Sequence, residues 1–283
     1  MISLSASALT SLPANLSAPG YDRSGMTPGI VHFGVGGFHR AHQAMYLDRL
    51  MAGGQAHDWA ILGVGVLPGD AAMKRVMDAQ DGLYTLVEKA ADGARNARVI
   101  GSIIGYLFAP DDPEAVIEAI AAPGVRIVSM TITEGGYCLD PATGEVDPDH
   151  PALLADLEPG AVPATVFGLV TEALARRRER GLPGVTIMSC DNIQGNGDTA
   201  HAVFAAFAGR RDAGLAAWIA DAVTFPNCMV DRITPATTDA DRAEVAGEFG
   251  VADAWPVVCE DFEQWVLEDR FAQGRPPWED GPA

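Results

Sequence analysis

The sequence predicts an α/β fold, doubly wound around a mostly parallel sheet, and three observations carry that prediction. Short β-branched runs alternate with amphipathic stretches of helical period, the mark of a βαβ succession. A glycine-rich turn, "GVGG", directly follows the first run. With 283 residues, 48% of them hydrophobic and 20% charged, the chain can bury one large α/β core.

In order, residues 30–33, 60–66, 126–131 and 185–189 read as buried strands. Residues 41–51, 70–79, 113–121 and 166–180 read as the helices between and after them. Asp112 before Pro113 is a helix start, an N-cap ahead of a proline at the first helical position. Residues 84–88 and 97–104, separated by "KAADGARN", read as an antiparallel β-hairpin inserted in the sheet. Residues 140–163, rich in Pro, Gly and Asp, read as a long surface loop. The last residues, "GRPPWEDGPA", have linker composition, so 1–275 are taken as one dinucleotide-binding domain and 276–283 as the start of a linker.

Composition excludes several classes. The net charge of −19 leaves no broad basic surface for nucleic acid or an anionic membrane. The one basic run, "RRRER" at 176–180, ends a predicted helix, where cations oppose the helix dipole. No window approaches a membrane span, and the first 25 residues lack the basic start and apolar run of a secretory signal, so a cytoplasmic address is expected. Cys138, Cys190, Cys228 and Cys259 form no C-x-x-C pair and read as free thiols.

Gly34 and Gly36 stand between a predicted strand and a predicted helix. There the first glycine permits the tight turn and the second lets backbone approach a pyrophosphate, held by amides at the helix start. Gly37 adds freedom, and Phe38, His39 and Arg40 complete the candidate cofactor turn. His39 occupies the position of the usual third glycine, so the helix must stand off or the ring must point away. Glycine turns after strands are common, and G-x-G alone is weak. Arg40 is placed near the phosphates. His39 and His42 lack a third ligand nearby, so no metal site is expected. Asp70, beyond the second strand, can accept from ribose hydroxyls and repel a 2′-phosphate, or can cap the following helix. Its distance from the glycines exceeds the usual ~20 residues.

Four blocks in order, "GIVHFGVGGFHRAHQ", "TITEGGY", "SCDNIQGNG" and "FPNCMVDRITP", resemble the mannitol dehydrogenase family, the polyol-specific long-chain dehydrogenases and reductases. The resemblance runs from about residue 9 to the end. It implies a Rossmann-type domain, NAD as cofactor with NADP possible, and metal-free hydride transfer to or from a secondary alcohol of a sugar alcohol or aldonate, as in mannitol 2-dehydrogenases and fructuronate reductases. It also implies that Asn192 donates to the reacting oxygen, a chemistry suited to an amide that does not ionise. Asp231 would hold polyol hydroxyls. Thr131, Thr133 and Glu134, after a central strand, would line the cofactor side. From the residues alone, Asn192 could be a turn former, Asp231 a partner for Arg232, and Glu134 a solvated turn residue. Gly69 stands where some relatives carry a second acid, which weakens the discrimination against NADP.

The family's base is a lysine in a K-x-x-x-x-N-x-x-H run on a C-terminal helical domain. No such run occurs here, and Lys74 and Lys89 are the only lysines. The expectation is therefore a cofactor domain whose catalytic partner is a helical domain outside this sequence, inactive alone. Two other readings are a non-catalytic dinucleotide-binding module and an S-adenosylmethionine-dependent methyltransferase. The first needs no base; the second shares the glycine turn and ribose acid but not the four blocks.

Overall fold

The computed structural model describes residues 1–140 and 142–281. Its strands are β1 Ile2–Ser3, β2 Pro28–Phe33, β3 Ala60–Gly65, β4 Tyr84–Lys89, β5 Arg95–Ile100, β6 Ile103–Phe108, β7 Ile127–Met130, β8 Thr186–Ser189, β9 Cys228–Asp231, β10 Val251–Ala252, β11 Val257–Glu260 and β12 Gln264–Leu267. The helices are α1 Gly37–Ala41, α2 Gln43–Ala52, α3 Ala71–Ala79, α4 Pro113–Ala121, α5 Pro151–Leu157, α6 Val166–Glu179, α7 Asn196–Arg211, α8 Ala213–Ala222 and α9 Asp239–Phe249.

The central sheet has the order β6-β3-β2-β7-β8, parallel throughout, with Phe33 opposite both Val64 and Met130. Its strands are apolar on both faces because helices cover both. Val31, Phe33, Val128 and Met130 pack with Val116, Phe167 and Phe204 of α4, α6 and α7. Ile30 and Ile61 pack with Ala44, Met45 and Leu47 of α2 on the other face. The chain winds outward from β2 through β3 to β6, then crosses back to β7 and β8. The direction thus reverses between β2 and β7, where ligands gather in such sheets.

Four expectations are corrected. The hairpin exists, β4 against β5, and is inserted in the chain after α3, but it lies outside the central sheet and forms a separate sheet of order β11-β4-β5. Residues 101–104 do not extend it. Gly101 and Ser102 end the hairpin strand, their N–H and Oγ donating to Asp48 Oδ1 and the Ala44 carbonyl, and the chain re-enters the central sheet as β6. The helix expected over 41–51 breaks at His42, whose φ of −122° and ψ of −98° separate α1 from α2. The loop over 140–163 carries α5; Pro141 lies outside the described residues.

Caps set the helix starts. Asp112 accepts from the Ala115 amide at 2.9 Å, and Thr165 from Gly168 at 3.0 Å. The basic run is structural: Arg176 pairs with Glu114, Glu118 and Glu172, and buried Arg177 donates to the Ile120, Ala122 and Pro183 carbonyls. Of the segment with linker composition, 276–281 pack back on the domain through Trp278, which is buried against Trp265 and Phe271. Residues 282–283 lie outside the described residues. No helix among the described residues is long and apolar enough to cross a membrane.

Candidate active site

A cleft of about 370 Å³ opens at the C-terminal ends of β2, β7 and β8, where the sheet order reverses, and β9 closes its far side. The β2 end supplies Gly34, Gly36, Gly37, Phe38 and His39. Gly34 has φ +87°, and a Cβ there would lie 2.1 Å from the Thr131 carbonyl oxygen, so only glycine fits. Its N–H donates to Val64 and its carbonyl accepts from the Gly36 N–H and the Thr131 hydroxyl. Among the described residues no side chain caps α1, which leaves its first-turn amides at the cleft without side-chain acceptors.

His39 fits the position of the third glycine by stacking. Its ring lies flat on His32 of β2, with centroids 3.4 Å apart and planes at 14°. His32 is tied on one side to Ser129 Oγ at 2.8 Å and on the other to Thr131 Oγ1 at 3.1 Å. Burial holds His32 down to about 3 and His42 down to about 4. His39 falls well below the ordinary range, first through burial and then through His32, Arg40 and His42. All three rings are neutral near pH 7, and both His39 nitrogens lack a hydrogen-bond partner among the described residues.

Arg40 is a correction to the expected phosphate ligand. It is 1% exposed, its guanidinium donates to the Trp255 and Gly36 carbonyls, and it lies over the Tyr84 ring. The helix geometry turns it into the core, where it cannot serve as a charged phosphate contact.

Asp70 does not line this cleft. Its Oδ2 accepts from the Val66 and Leu67 amides, each at 2.9 Å, closing the turn after β3 rather than capping α3. Gly65 makes room for it, since a Cβ there would lie 2.6 Å from Asp70 Cβ. Oδ1 has no hydrogen-bond partner among the described residues.

Thr131 and Thr133 line the cleft after β7; Glu134 is exposed outside it. Thr133 holds a φ of +62° with ψ 167°, a backbone state that costs about 1–3 kcal/mol. Asp191, which the sequence reading passed over, supports it: Oδ1 accepts from Thr133 N at 2.8 Å, and Oδ2 from Ile132 N at 3.1 Å and the Tyr137 hydroxyl at 2.7 Å. Burial raises the Asp191 carboxyl above the ordinary range, opposed by these hydrogen bonds. Its signal was its position, an acid directly before Asn192 at a strand end.

Asn192 and Asp231 face the same cleft from β8 and β9. Both are exposed and neither side chain has a hydrogen-bond partner among the described residues. Arg232 is not the partner of Asp231. It is buried and pairs with Glu88 at 2.6 Å and Glu263 at 3.2 Å, donating also to the Ala41 carbonyl. Neither lysine lines the cleft: Lys74 pairs with Asp78, and Lys89 with Glu244. Among the described residues no group of three or more His, Cys, Asp or Glu could hold a metal.

The family model described as the mannitol dehydrogenase Rossmann domain matches residues 28–280. A mannitol 2-dehydrogenase of Phaeosphaeria nodorum is 52% identical over 265 residues, covering 94% of this chain and 46% of its own. A polyol:NADP oxidoreductase of Gluconobacter oxydans is 51% identical, covering 96% of this chain and 56% of its own. The Pseudomonas fluorescens mannitol 2-dehydrogenase, solved as a ternary complex with NAD and D-mannitol, superposes with a TM-score of 0.95 at 47% identity, over 98% of this chain and 56% of that one. The chain spans about half the length of the curated relatives it matches.

Proposed function

The chain belongs to the mannitol dehydrogenase family, and we propose on that premise that it forms the dinucleotide-binding half, with part of the substrate site, of an oxidoreductase acting on sugar alcohols. The observation that carries this reading is the cleft at the β2/β7 reversal, with an open glycine turn on one wall and two unpartnered polar side chains, Asn192 and Asp231, on the other. A module that only stored dinucleotide would have no use for the second wall.

The cradle fits a dinucleotide: a Cβ would fill the Gly34 turn, and the uncapped α1 amides can receive phosphate oxygens. When bound, NAD(P) supplies the hydride acceptor. Asn192 donates its amide hydrogen to the oxygen of the reacting carbon and stabilises the alkoxide as charge develops. Asp231 accepts from neighbouring hydroxyls and sets which carbon faces the cofactor. Thr133, held by Asp191, shapes the floor between the two sites. The hydroxyl proton needs a base that none of these groups provides. We propose that it comes from a helical domain outside this sequence, seated where Met229, Ile233, Phe262 and Val266 are exposed. The four free thiols suit a reducing compartment, and the proposed location is the cytoplasm.

Aldonates, as in fructuronate reductases, are the alternative substrate class. NAD is preferred over NADP in this reading because the free Oδ1 of Asp70 can accept from a ribose hydroxyl and repel a 2′-phosphate. Calorimetric titration of both cofactors into the chain tests it. NAD should bind and NADP bind more weakly, and Asp70→Ala should narrow the gap by roughly 1–3 kcal/mol. Equal or tighter NADP binding to the unaltered chain removes Asp70 from the site. NADH formation with mannitol, arabinitol, sorbitol and mannonate should be negligible for this chain and restored when the helical half of a relative is joined to it. Comparable turnover by the chain alone would mean that a base lies within it.

A further inference from the structure

We propose that Cys190 and Cys228 are a redox pair at the edge of the cleft, oxidised by hydroperoxide to a reversible disulfide. The two cysteines leave adjacent segments in step. Thr186, at the start of β8, bridges in parallel to Thr224, and each cysteine lies the same number of residues beyond its member of that bridge. The Cys228 thiol donates to the Ser189 carbonyl at 2.9 Å, the peptide group that leads into Cys190. Asn196 Nδ2 joins the two segments at the same level, donating to the Asp191 and Cys228 carbonyls, and each thiol shifts the ionisation of the other.

The pair has a direction. Asn196 Nδ2 reaches Cys228 Sγ at 3.5 Å, and the same amide is fixed by bonds to the Asp191 and Cys228 carbonyls and to the Cys228 N–H. The buried Trp265 indole N–H has no hydrogen-bond partner among the described residues, and it helps to hold Cys228 low. The Cys190 thiol is the largest influence holding Cys228 below the ordinary thiol range, against burial and Asp191. Cys190 is pushed the other way, first by the Cys228 thiol and then by burial. Cys228 is also the less buried of the two and has the Asn196 amide at its sulfur, so it is the nucleophile and Cys190 the resolving thiol. Cys138 and Cys259 are buried, and burial pushes both thiols up, Cys259 to about 12.

The chemistry balances with hydrogen peroxide as the oxidant. The Cys228 thiolate attacks one peroxide oxygen; the S–O bond forms, the O–O bond breaks and hydroxide leaves. Cys190 gives its proton to that hydroxide and attacks the sulfenic sulfur; the S–S bond forms and the S–O bond breaks. Hydroxide leaves again and takes a solvent proton, so two thiols and one peroxide give one disulfide and two waters. Cys228 is partly exposed, so a small oxidant meets it first, while Cys190 is buried at the cleft lining. The bond would tether the strand end that carries Asn192 to the strand that ends in Asp231. Only that consequence for turnover rests on the function proposed above.

Peptide mapping without reductant tests the pair. After peroxide treatment and alkylation, the purified chain should yield a Cys190–Cys228 cross-linked peptide that dithiothreitol removes, with Cys138 and Cys259 still alkylated as thiols. In Cys190→Ser, dimedone should trap a sulfenic acid at Cys228. The map of the unaltered chain decides the matter even if a serine variant fails to fold. Oxidation of Cys138 or Cys259 ahead of the pair, or no cross-link while exposed methionines are oxidised, overturns the proposal. A sulfenic acid on Cys190 instead of Cys228 overturns its direction. If the function reading fails, the reduced chain binds no NAD, and this peptide map is unaffected.

Discussion

The two walls of the cleft are built by opposite means. The wall at the ends of β2 and β7 is made of backbone and buried rings: Gly34 held by Thr131, His39 stacked on His32, and every one of these contacts made before a ligand arrives. The facing wall presents two exposed side chains, Asn192 and Asp231, with no hydrogen-bond partner among the described residues. A wall whose contacts are already made binds without reorganisation, and a change there is felt as stability. A wall of free side chains can be altered without touching the fold, so a change there is felt as chemistry.

The sharpest way to break this contrast is Gly34→Ala. The new methyl would meet a backbone carbonyl at 2.1 Å with φ at +87°, so β2 and β7 must separate. We expect a loss of more than about 4 kcal/mol in thermal or denaturant unfolding, together with loss of dinucleotide binding. Stability within about 1 kcal/mol of the unaltered chain would show that the turn is not fixed in advance.

Asn192→Ala is the opposite case. With the helical half of a relative joined to the chain, kcat should fall by about 10²-fold or more, on the order of 3 kcal/mol, the scale of one lost oxyanion donor. Unfolding should shift by no more than about 0.5 kcal/mol, because the side chain has no partner to lose. Activity preserved within a few-fold would return Asn192 to the role of a turn residue.

The same contrast governs what could be read from the sequence. Period and β-branching located β2, β3, β7 and β8, because strands covered on both faces carry their burial in their composition. The hairpin's second strand was run on into β6 because "VIGSIIGYLF" is apolar across Gly101 and Ser102. Only tertiary hydrogen bonds from those two residues to α2 mark the break. Gly34 and Gly36 were legible because their backbone requirement is local. Arg40 was misplaced because charge suggests phosphate, whereas its direction depends on Tyr84 and Trp255, far along the chain. Asp191 was missed for the same reason: its partners, Ile132, Thr133 and Tyr137, belong to another block.

Asp231→Ala sharpens the second wall at a smaller scale. Losing a charge-assisted acceptor for polyol hydroxyls is worth about 1.5–3 kcal/mol, so KM for the sugar alcohol should rise roughly 10- to 100-fold with kcat changed much less. Because Arg232 is paired with Glu88 and Glu263 instead, the melting temperature should hold. A fall in melting temperature with KM unchanged would make Asp231 a structural residue.

The smallest effect, per unit of pH, belongs to the buried rings of the first wall. His32 and His42 are held down to about 3 and about 4, and His39 also lies well below the ordinary value near 6.5. Unfolding releases each ring to take up a proton once the pH is below about 6.5. The unfolded state then binds more protons than the folded one, so the stabilisation from neutral rings is complete above that pH. It is lost as pH falls toward the folded values, by up to about 1.4 kcal/mol per unit for each ring. Asp48 and Asp191, raised by burial, act with the opposite sign, because their protonated forms favour the fold at low pH. A single melting curve therefore mixes both. His32→Asn separates them: it removes one ring, lowers stability through the lost stack, and should make the dependence of unfolding free energy on pH between about 6.5 and 4 shallower by about one proton's worth. An unchanged slope would mean that His32 already takes up its proton in the folded protein, and the first wall would then be softer than its packing implies.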